Sequence, residues 1–207
     1  MNPALRAVRV TAIMACCALA GLYAGQWFFA DRPTAPPAQS PDPAREAELS
    51  LVTELPSFKL TDLDGERRDI RDFSGQPLLI NFWATWCAPC RKEMPLLQTL
   101  HDDSPGGVQV IGIAIDRQPA VETFIAEAGV TYPILVGQED AIAAAESFGP
   151  EFIALPFSIL VAADGEVIGL ETGELDPAEI RGLARLTAEL GAGRLSVADA
   201  RDRFPGS

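Results

Sequence analysis

The feature that most constrains the fold of this chain is a pair of cysteines that directly follows a strand pattern. Residues 78–84 form a largely apolar run, and after a short turn Cys87-Ala88-Pro89-Cys90 begins a helix that extends to about His101. Residues three apart lie on one face of a helix, so the two thiols are close enough to bond. Free backbone N–H groups and the helix dipole stabilise a thiolate at Cys87. The pattern therefore predicts thiol–disulfide exchange, with Cys87 as nucleophile and Cys90 as resolving thiol.

Other uses of a cysteine pair fit the sequence less well. A zinc site needs further ligands, but no second Cys-x-x-Cys follows and His101 is the only histidine. A purely structural disulfide would close a very small loop and so stabilise little. A peroxiredoxin carries Thr or Ser three residues before its cysteine, where this chain has Ala84. A Cu(I) chaperone remains an alternative because soft thiolates bind copper, although no Met/His cluster accompanies the pair.

The sequence around the cysteines resembles a known family. Trp86-Cys87-Ala88-Pro89-Cys90, followed by Arg91-Lys92-Glu93-Met94-Pro95, is similar to the thioredoxin superfamily, and more closely to its membrane-anchored TlpA/ResA-like thiol–disulfide reductases. The similarity extends over about residues 49–190. It implies an α/β, thioredoxin-like fold in which helices flank a central mixed sheet, with an N-terminal β-hairpin and an αβ insertion. It also implies protein disulfides as substrates and no prosthetic group or other cofactor.

The resemblance assigns roles to residues that are distant from the cysteines in sequence. It places a cis-proline at Pro156, facing the cysteine pair, where Leu155, Pro156 and Phe157 contact an extended substrate segment. Many family members have Thr or Glu after this proline, so Phe157 is expected to make the contact surface apolar. Trp86 is a further candidate for substrate binding, and Trp83 and Trp86 are interpreted as packing residues beside the site. The predicted catalytic residues are Cys87, Cys90, Glu93 and Pro156.

Glu93 is the candidate proton acceptor. It lies three residues after Cys90 on the same helical face, and ResA-like proteins bury the matching acid near their cysteines. Thioredoxin instead carries its acid on the strand, at the place where this chain has Asn81. The resemblance thus implies that Glu93 accepts the proton of Cys90 during resolution. The alternative is a glutamate on the solvated surface of the helix.

The rest of the domain alternates strand and helix patterns, which is typical of an α/β sandwich with a mixed sheet. Asp64-Gly65 marks a hairpin turn, and Asp176 is the predicted N-cap of the last long helix. Residues 191–207 are interpreted as a surface tail with one short helix from Ser196. Arg91, Lys92 and His101 are interpreted as surface residues. Apolar runs and breakers predict strands at 58–61, 67–70, 108–115, 132–136, 157–162 and 167–170, and helices at 119–128, 139–148 and 177–190.

The first 48 residues carry a membrane-segment pattern and a linker. Residues 10–30 are nearly all apolar and long enough to cross a bilayer as a helix. Two arginines within residues 1–9 place that end in the cytoplasm by the positive-inside rule. A cleaved signal peptide is one alternative, with Ala18-Leu19-Ala20 as its cleavage site. Lipoprotein modification at Cys16 is a weaker alternative, because Met14 fits that signal poorly and the preceding apolar region is short. Residues 31–48 contain five prolines and are interpreted as an extended linker.

The net charge and the expected membrane topology together restrict the possible functions. The net charge of −13 argues against nucleic acid as a partner. We expect a single-pass protein of the inner membrane whose redox domain faces the periplasm and reduces protein disulfides, with cytochrome c and oxidase assembly as candidate pathways. A dithiol kept reduced in an oxidising compartment needs an electron supply, which by family analogy is a membrane thiol transporter of the CcdA/DsbD kind. A disulfide-donating oxidant remains an alternative, because Ala88-Pro89 does not settle the direction.

Overall fold

The computed structural model describes residues 52–103, 107–149 and 154–204, which form a seven-stranded sheet with helices on both faces. The strand order is β2-β1-β5-β4-β3-β6-β7. The strands are β1 (Lys59–Asp62), β2 (Arg67–Asp69), β3 (Leu78–Trp83), β4 (Gln109–Ile115), β5 (Ile134–Gly137), β6 (Phe157–Val161) and β7 (Val167–Thr172). The helices are α1 (Ala88–Asp103), α2 (Gln118–Ala128), α3 (Glu139–Glu146), α4 (Pro177–Gly191) and α5 (Val197–Arg203), and a 3₁₀ turn covers Ile70–Phe73.

Strand β3 lies in the interior of the sheet. It runs parallel to β4 and antiparallel to β6, so the sheet is mixed, as expected. All six of its residues are buried, because both faces of the strand are covered. Leu79 and Trp83 pack into the apolar core on one face, whereas Ile80 and Phe82 pack into the core on the other. This central strand leads directly into the turn that carries Cys87.

The two cores assign the helices to opposite faces of the sheet. Met94 of α1, Val121 of α2 and Leu183 of α4 share one core with Leu79. Ala141, Ala144 and Ala145 of α3 and Ile70 of the 3₁₀ turn belong to the other. Helices α1 and α4 therefore lie on the same side, and the residues that surround the cysteine pair come from that side.

The expected N-terminal hairpin and αβ insertion are both present. Strands β1 and β2 pair antiparallel, and Asp62 fixes their turn by accepting the N–H groups of Asp64 and Glu66 at 3.0 and 2.9 Å. The insertion α2–β5–α3 follows β4, and β5 lies between β4 and β1. Gly129 ends α2 with a φ of +68°, as the helix-stop pattern predicts.

The end of the chain differs from the surface tail that its composition suggests. The predicted short helix exists: Ser196 caps α5 by accepting the N–H of Asp199. However, Ala200 and Phe204 are buried, and the ring of Phe204 lies against Gly169 of β7. Arg201 donates to the carbonyl of Val167 at 2.9 Å. The segment thus covers strand β7, so the interpretation of residues 191–204 as a surface tail is wrong.

The proposed membrane anchor and linker lie outside the described residues. This applies to 1–9, to the apolar stretch 10–30 and to the proline-rich stretch 31–48. Of the helices in the described ranges, none has the length and apolar character required to span a bilayer.

Candidate active site

Cys87 stands at the start of α1, where the sequence places it. The helix begins at Ala88, and the first helical hydrogen bond runs from the N–H of Arg91 to the Cys87 carbonyl at 3.2 Å. The N–H of Cys90 points to the Cys87 sulfur at 3.3 Å. The sulfur therefore occupies the position of an N-cap acceptor, where unpaired N–H groups and the helix dipole favour a negative charge.

Cys87 and Cys90 are joined by a disulfide. Their Cα atoms are 5.3 Å apart, within the ordinary range for such a bond. Cys90 is completely buried, whereas Cys87 is 5% exposed. A sulfur of a partner protein can therefore reach Cys87 before it can reach Cys90.

Glu93 has no solvent exposure, so it is not a solvated surface glutamate. Its Oε1 accepts the Nδ2–H of Asn81 at 2.9 Å, and its Oε2 accepts the N–H of Leu175 at 2.8 Å. Burial raises the pKa of Glu93 from 4.5 to about 7, and the two hydrogen bonds oppose that rise. The carboxyl can thus gain or lose a proton near neutral pH, one helical turn after Cys90.

Asn81, Ser158 and Leu175 also belong to the site, although the sequence patterns do not assign them to it. Asn81 of β3 lies opposite Ser158 of β6 in the sheet register, and its Nδ2 also donates to the Ser158 hydroxyl at 3.0 Å. Both are polar residues within fully buried strands, and that pattern could have marked them. Leu175 acts through its backbone N–H, for which the side chain gives no signal.

The Leu155–Pro156 peptide bond is cis, as the resemblance implies. Phe157 pairs with Phe82 in the register of β6 and β3, so Pro156 lies at the carboxyl end of β3, the same end as Cys87. The carbonyl of Pro156 accepts the N–H of Gly173 at 2.9 Å. The Gly173–Leu175 segment therefore contacts both Pro156 and Glu93.

Phe157 does not provide the apolar contact surface that its position suggests. Its side chain is 3% exposed and its ring stacks on Phe82, with centroids 4.5 Å apart and planes 6° from parallel. The expectation of an apolar surface at Phe157 is wrong because the residue points into the core opposite the cysteine face. Leu155, in contrast, is only half-buried.

The two tryptophans beside the site have different environments. Trp83 is completely buried and packs against Phe124 with a centroid distance of 5.4 Å, which confirms its packing role. Trp86 is 70% exposed, so its interpretation as a packing residue is wrong. An exposed indole next to the nucleophile is available to a protein partner, and substrate binding at Trp86 stays a prediction.

Polar contacts also fix the turn that precedes the cysteines. The backbone N–H and the hydroxyl of Thr85 both donate to Asp116 Oδ2 at the end of β4. Burial alone would raise the pKa of Asp116, but the hydrogen bonds from Thr85 and from the Arg117 N–H outweigh it and lower that pKa. This contact ties the β3–α1 turn to β4, and it could not be predicted from the sequence patterns.

Arg91, Lys92 and His101 of α1 differ in their exposure to solvent. Arg91 and Lys92 are exposed, as expected, and Lys92 forms an ion pair with Glu174 at 3.4 Å. His101 is half-buried and its ring lies 6.1 Å from that of Tyr132, so the interpretation as a surface histidine is wrong. Within the described ranges, no three or more His, Cys, Asp and Glu side chains are grouped so that they could hold a metal ion.

Comparison with known proteins agrees with this geometry. The profile of the redoxin family matches residues 52–186. The thiol-disulfide oxidoreductase ResA of Bacillus cereus is 30% identical over 176 residues, which cover 84% of this chain and 91% of that protein. ResA of Bacillus subtilis is 30% identical over 135 residues, covering 64% and 73% respectively.

A solved structure supports the fold. A thiol:disulfide interchange protein of the thioredoxin family from Chlorobium tepidum TLS superposes with a TM-score of 0.58 and 27% identity, covering 67% of this chain and 97% of that one. The mixed sheet with flanking helices is thus thioredoxin-like. Since the family profile covers more than half of the chain and the cysteine pair occupies the start of α1, the chain belongs to the redoxin family and is a thiol–disulfide oxidoreductase related to ResA.

Proposed function

We propose that this oxidoreductase is a reductase of protein disulfides that works outside the cytoplasm, anchored in the inner membrane by residues 10–30. The redox role in this proposal rests on one observation, the different environments of Cys87 and Cys90. Cys87 lies at the helix start and is the more accessible sulfur, whereas Cys90 is buried one turn from a carboxyl that titrates near neutral pH. The apolar run and the two preceding arginines support the anchor.

The reaction begins with the reduced dithiol. The Cys87 thiolate attacks one sulfur of the partner disulfide, forming a mixed disulfide, and the other partner sulfur leaves as a thiolate. The Cys90 thiol then transfers its proton to the Glu93 carboxylate and attacks the Cys87 sulfur. The second partner thiolate leaves, and the Cys87–Cys90 disulfide seen in the structure is formed. Two electrons pass from the oxidoreductase to the partner.

The environment of Cys90 supports a proton-transfer role for Glu93 in the step where Cys90 reacts. A completely buried thiol stays protonated unless a base lies nearby, since burial disfavours its charged form. Such a base is needed in the step where Cys90 attacks, and the same group returns the proton when this step runs backwards. The reducing direction therefore rests on the resemblance to the TlpA/ResA-like reductases. Glu93 is the buried acid on the same helical face.

The dithiol must be regenerated after each turnover. In an oxidising compartment the cytosolic reductants are absent, so we propose a membrane thiol transporter of the CcdA/DsbD kind as electron donor. Partners in cytochrome c or oxidase assembly are proposed from the resemblance to ResA-like proteins. The cis-Pro156 segment and exposed Trp86 are the proposed contact surface for those partners.

The test is to trap the partner on the full-length chain. A Cys90→Ala variant should retain its captured protein as a stable mixed disulfide, and a Cys87→Ala variant should capture none.

The reduction potential of the Cys87–Cys90 couple distinguishes the reductase from a disulfide donor. A value near that of the strong oxidant DsbA, about −120 mV, would favour the disulfide donor. Stoichiometric Cu(I) binding by the reduced chain, without turnover of disulfides, would favour the copper chaperone.

A further inference from the structure

Asn81 is the only polar side chain within β3, whose other residues are all apolar. It has no solvent exposure, so its amide must find partners inside the protein. Its Nδ2 group donates to Glu93 Oε1 at 2.9 Å and to the Ser158 hydroxyl at 3.0 Å. Its Oδ1 is buried and accepts no hydrogen bond from the described part of the chain. The amide is thus oriented so that its Nδ2 group donates twice, while its Oδ1 accepts no hydrogen bond from the described residues.

We propose that Asn81 is a positioning residue for proton transfer at Cys90, because its amide holds the Glu93 carboxyl in the orientation that receives the thiol proton. The inference rests on the proposed function and deepens it, since it concerns the same step. A glutamate side chain is long and loses considerable freedom when it is fixed. Two donors on different elements, Asn81 on β3 and Leu175 before α4, hold one oxygen each.

Ser158 completes this arrangement. It lies directly opposite Asn81 in the register of β3 and β6, and it is buried. Its oxygen accepts the second Nδ2 hydrogen, which prevents the amide from rotating away from Glu93. A hydroxyl is small enough to fit between the strands beneath α1, where a larger polar side chain would displace the apolar core.

The charges around Glu93 determine how strongly it depends on this donor. Burial has the largest effect and raises the pKa of Glu93, and the carboxylates of Glu174 and Glu179 raise it further. The hydrogen bonds from Leu175 and Asn81 act in the opposite direction. The titratable and charged groups on the surrounding elements are Cys87, Cys90 and Lys92 on α1 or at its start, Glu171 on β7, Glu174 and Glu179 at the start of α4, and Tyr132 ahead of β5.

Loss of the Asn81 donor should therefore raise the pKa of Glu93, so that the carboxylate forms only at higher pH. A rise of one pH unit from about 7 would lower the carboxylate fraction at pH 7 from one half to about a tenth, so the resolving step should slow roughly fivefold. The rate should recover as the pH is raised. A residue that only fills the core would change stability but would leave this pH profile in place.

The experiment follows the Glu93 carboxyl itself. The reduced full-length chain, with ¹³C-labelled glutamate and in detergent, is titrated by NMR as wild type, Asn81→Ala and Asn81→Asp. Asn81→Ala should raise the Glu93 midpoint by about one pH unit. Asn81→Asp keeps the side-chain shape and so leaves no cavity, and it should raise the upper midpoint of the carboxyl pair further, because two adjacent carboxyls share one proton. In a parallel assay, release of a preformed mixed disulfide is measured from pH 6 to 9.

The matched control is Thr187→Val. Thr187 is also a buried polar residue, but its hydroxyl bonds to the Leu183 carbonyl within α4, so this variant should leave the titration and the pH profile unchanged. Unchanged Glu93 midpoints in both Asn81 variants would overturn the proposal. Failure of the wild-type chain to reduce any protein disulfide would instead overturn the proposed function, and the titration would still decide the role of Asn81.

Discussion

Asn81 and Glu93 form a hydrogen bond of 2.9 Å between two side chains that are both completely buried. The acid comes from the helix that carries the cysteines, and the central strand supplies a neutral amide. A carboxyl in this environment has a pKa of about 7, because burial disfavours its charge more than its two hydrogen bonds favour it. Stability and redox chemistry are therefore expected to depend on pH through the same group.

Stability should fall as the pH rises towards neutral. Folding raises the pKa of Glu93 from 4.5 to about 7, so between these values the folded chain holds a proton that the unfolded chain has released. The stabilisation is fully present below pH 4.5 and is lost by pH 7, at about 1.4 kcal/mol per pH unit or roughly 3 kcal/mol in total. Urea unfolding of the oxidised chain at pH 5, 6 and 7 measures this slope.

Glu93→Gln is the comparison for that slope. Glutamine cannot titrate, so its free energy of unfolding should lack the contribution of Glu93 while all other acids contribute equally in both chains. Wild type should therefore lose about 2 kcal/mol relative to Glu93→Gln between pH 5 and pH 7. Parallel curves from pH 5 to 7 would show that Glu93 titrates at an ordinary pKa.

Glu93→Gln should also slow the reduction of a model protein disulfide. The first attack by Cys87 does not require Glu93, whereas resolution by Cys90 does, so the mixed disulfide should accumulate. General-base catalysis commonly contributes about 10²–10⁴-fold, which sets the scale of the expected loss. Stopped-flow mixing with quenched mass analysis separates the two steps. Glu174→Gln is the control, because this neighbouring acid is paired with surface Lys92, and a similar loss there would point to a general charge effect.

Sequence patterns predicted those parts of the site whose residues are close together in the sequence. The helix-start position of Cys87 and the helical spacing of Cys90 and Glu93 follow from neighbouring residues, and the structure confirms each position. The cis bond before Pro156 followed from the family resemblance. The hydrogen-bond partners of Glu93 could not be predicted in this way, because Asn81 and Leu175 approach it only once the sheet and the β7–α4 loop have formed.

Burial was mispredicted where it depends on a distant neighbour. Phe157 was expected at the contact surface, but its strand partner Phe82 provides a ring on which it stacks. Phe204 lies in a charged, glycine-containing segment whose composition is typical of an exposed tail, and it is buried because Gly169 of β7 leaves room for its ring. Neither neighbour is close in sequence, so local composition could not reveal these contacts.

The contact between Gly169 and Phe204 should be measurable as a coupling. A methyl group at Gly169 would overlap the Phe204 ring, so Gly169→Ala should destabilise the domain. Phe204→Ala should cost roughly 3–5 kcal/mol, as for other buried aromatics. In the double variant the added methyl has room, so the two losses should not add. Denaturant unfolding of the four chains gives the coupling energy, and simple additivity would mean that α5 moves away without strain.

The proposed anchor predicts an uncleaved N-terminus. Residues 10–30 form one apolar run that continues past Ala18-Leu19-Ala20, so signal peptidase should leave it in place. The chain extracted from membranes should have the intact mass, and protease added outside the inner membrane should degrade the redox domain but spare residues 1–9. A mature N-terminus near Gly21 would exclude the anchor. Replacement of residues 10–30 by a cleavable signal provides the control, since that chain should be recovered without detergent.

The division of labour between the cysteines should appear in their reactivity. Cys87 receives the N–H of Cys90 at the helix start, so its thiolate should form well below the ~8.5 of an ordinary thiol, whereas buried Cys90 should resist a brief alkylation of the reduced chain. Peptide mapping after such labelling should therefore find the label on Cys87. Cys87→Ser should abolish disulfide reduction, and Cys90→Ser should attack once and stall as a mixed disulfide because no second thiol releases the product. Preferential labelling of Cys90, or stalled complexes only with Cys87→Ser, would reverse these roles and remove the helix start as the cause of reactivity.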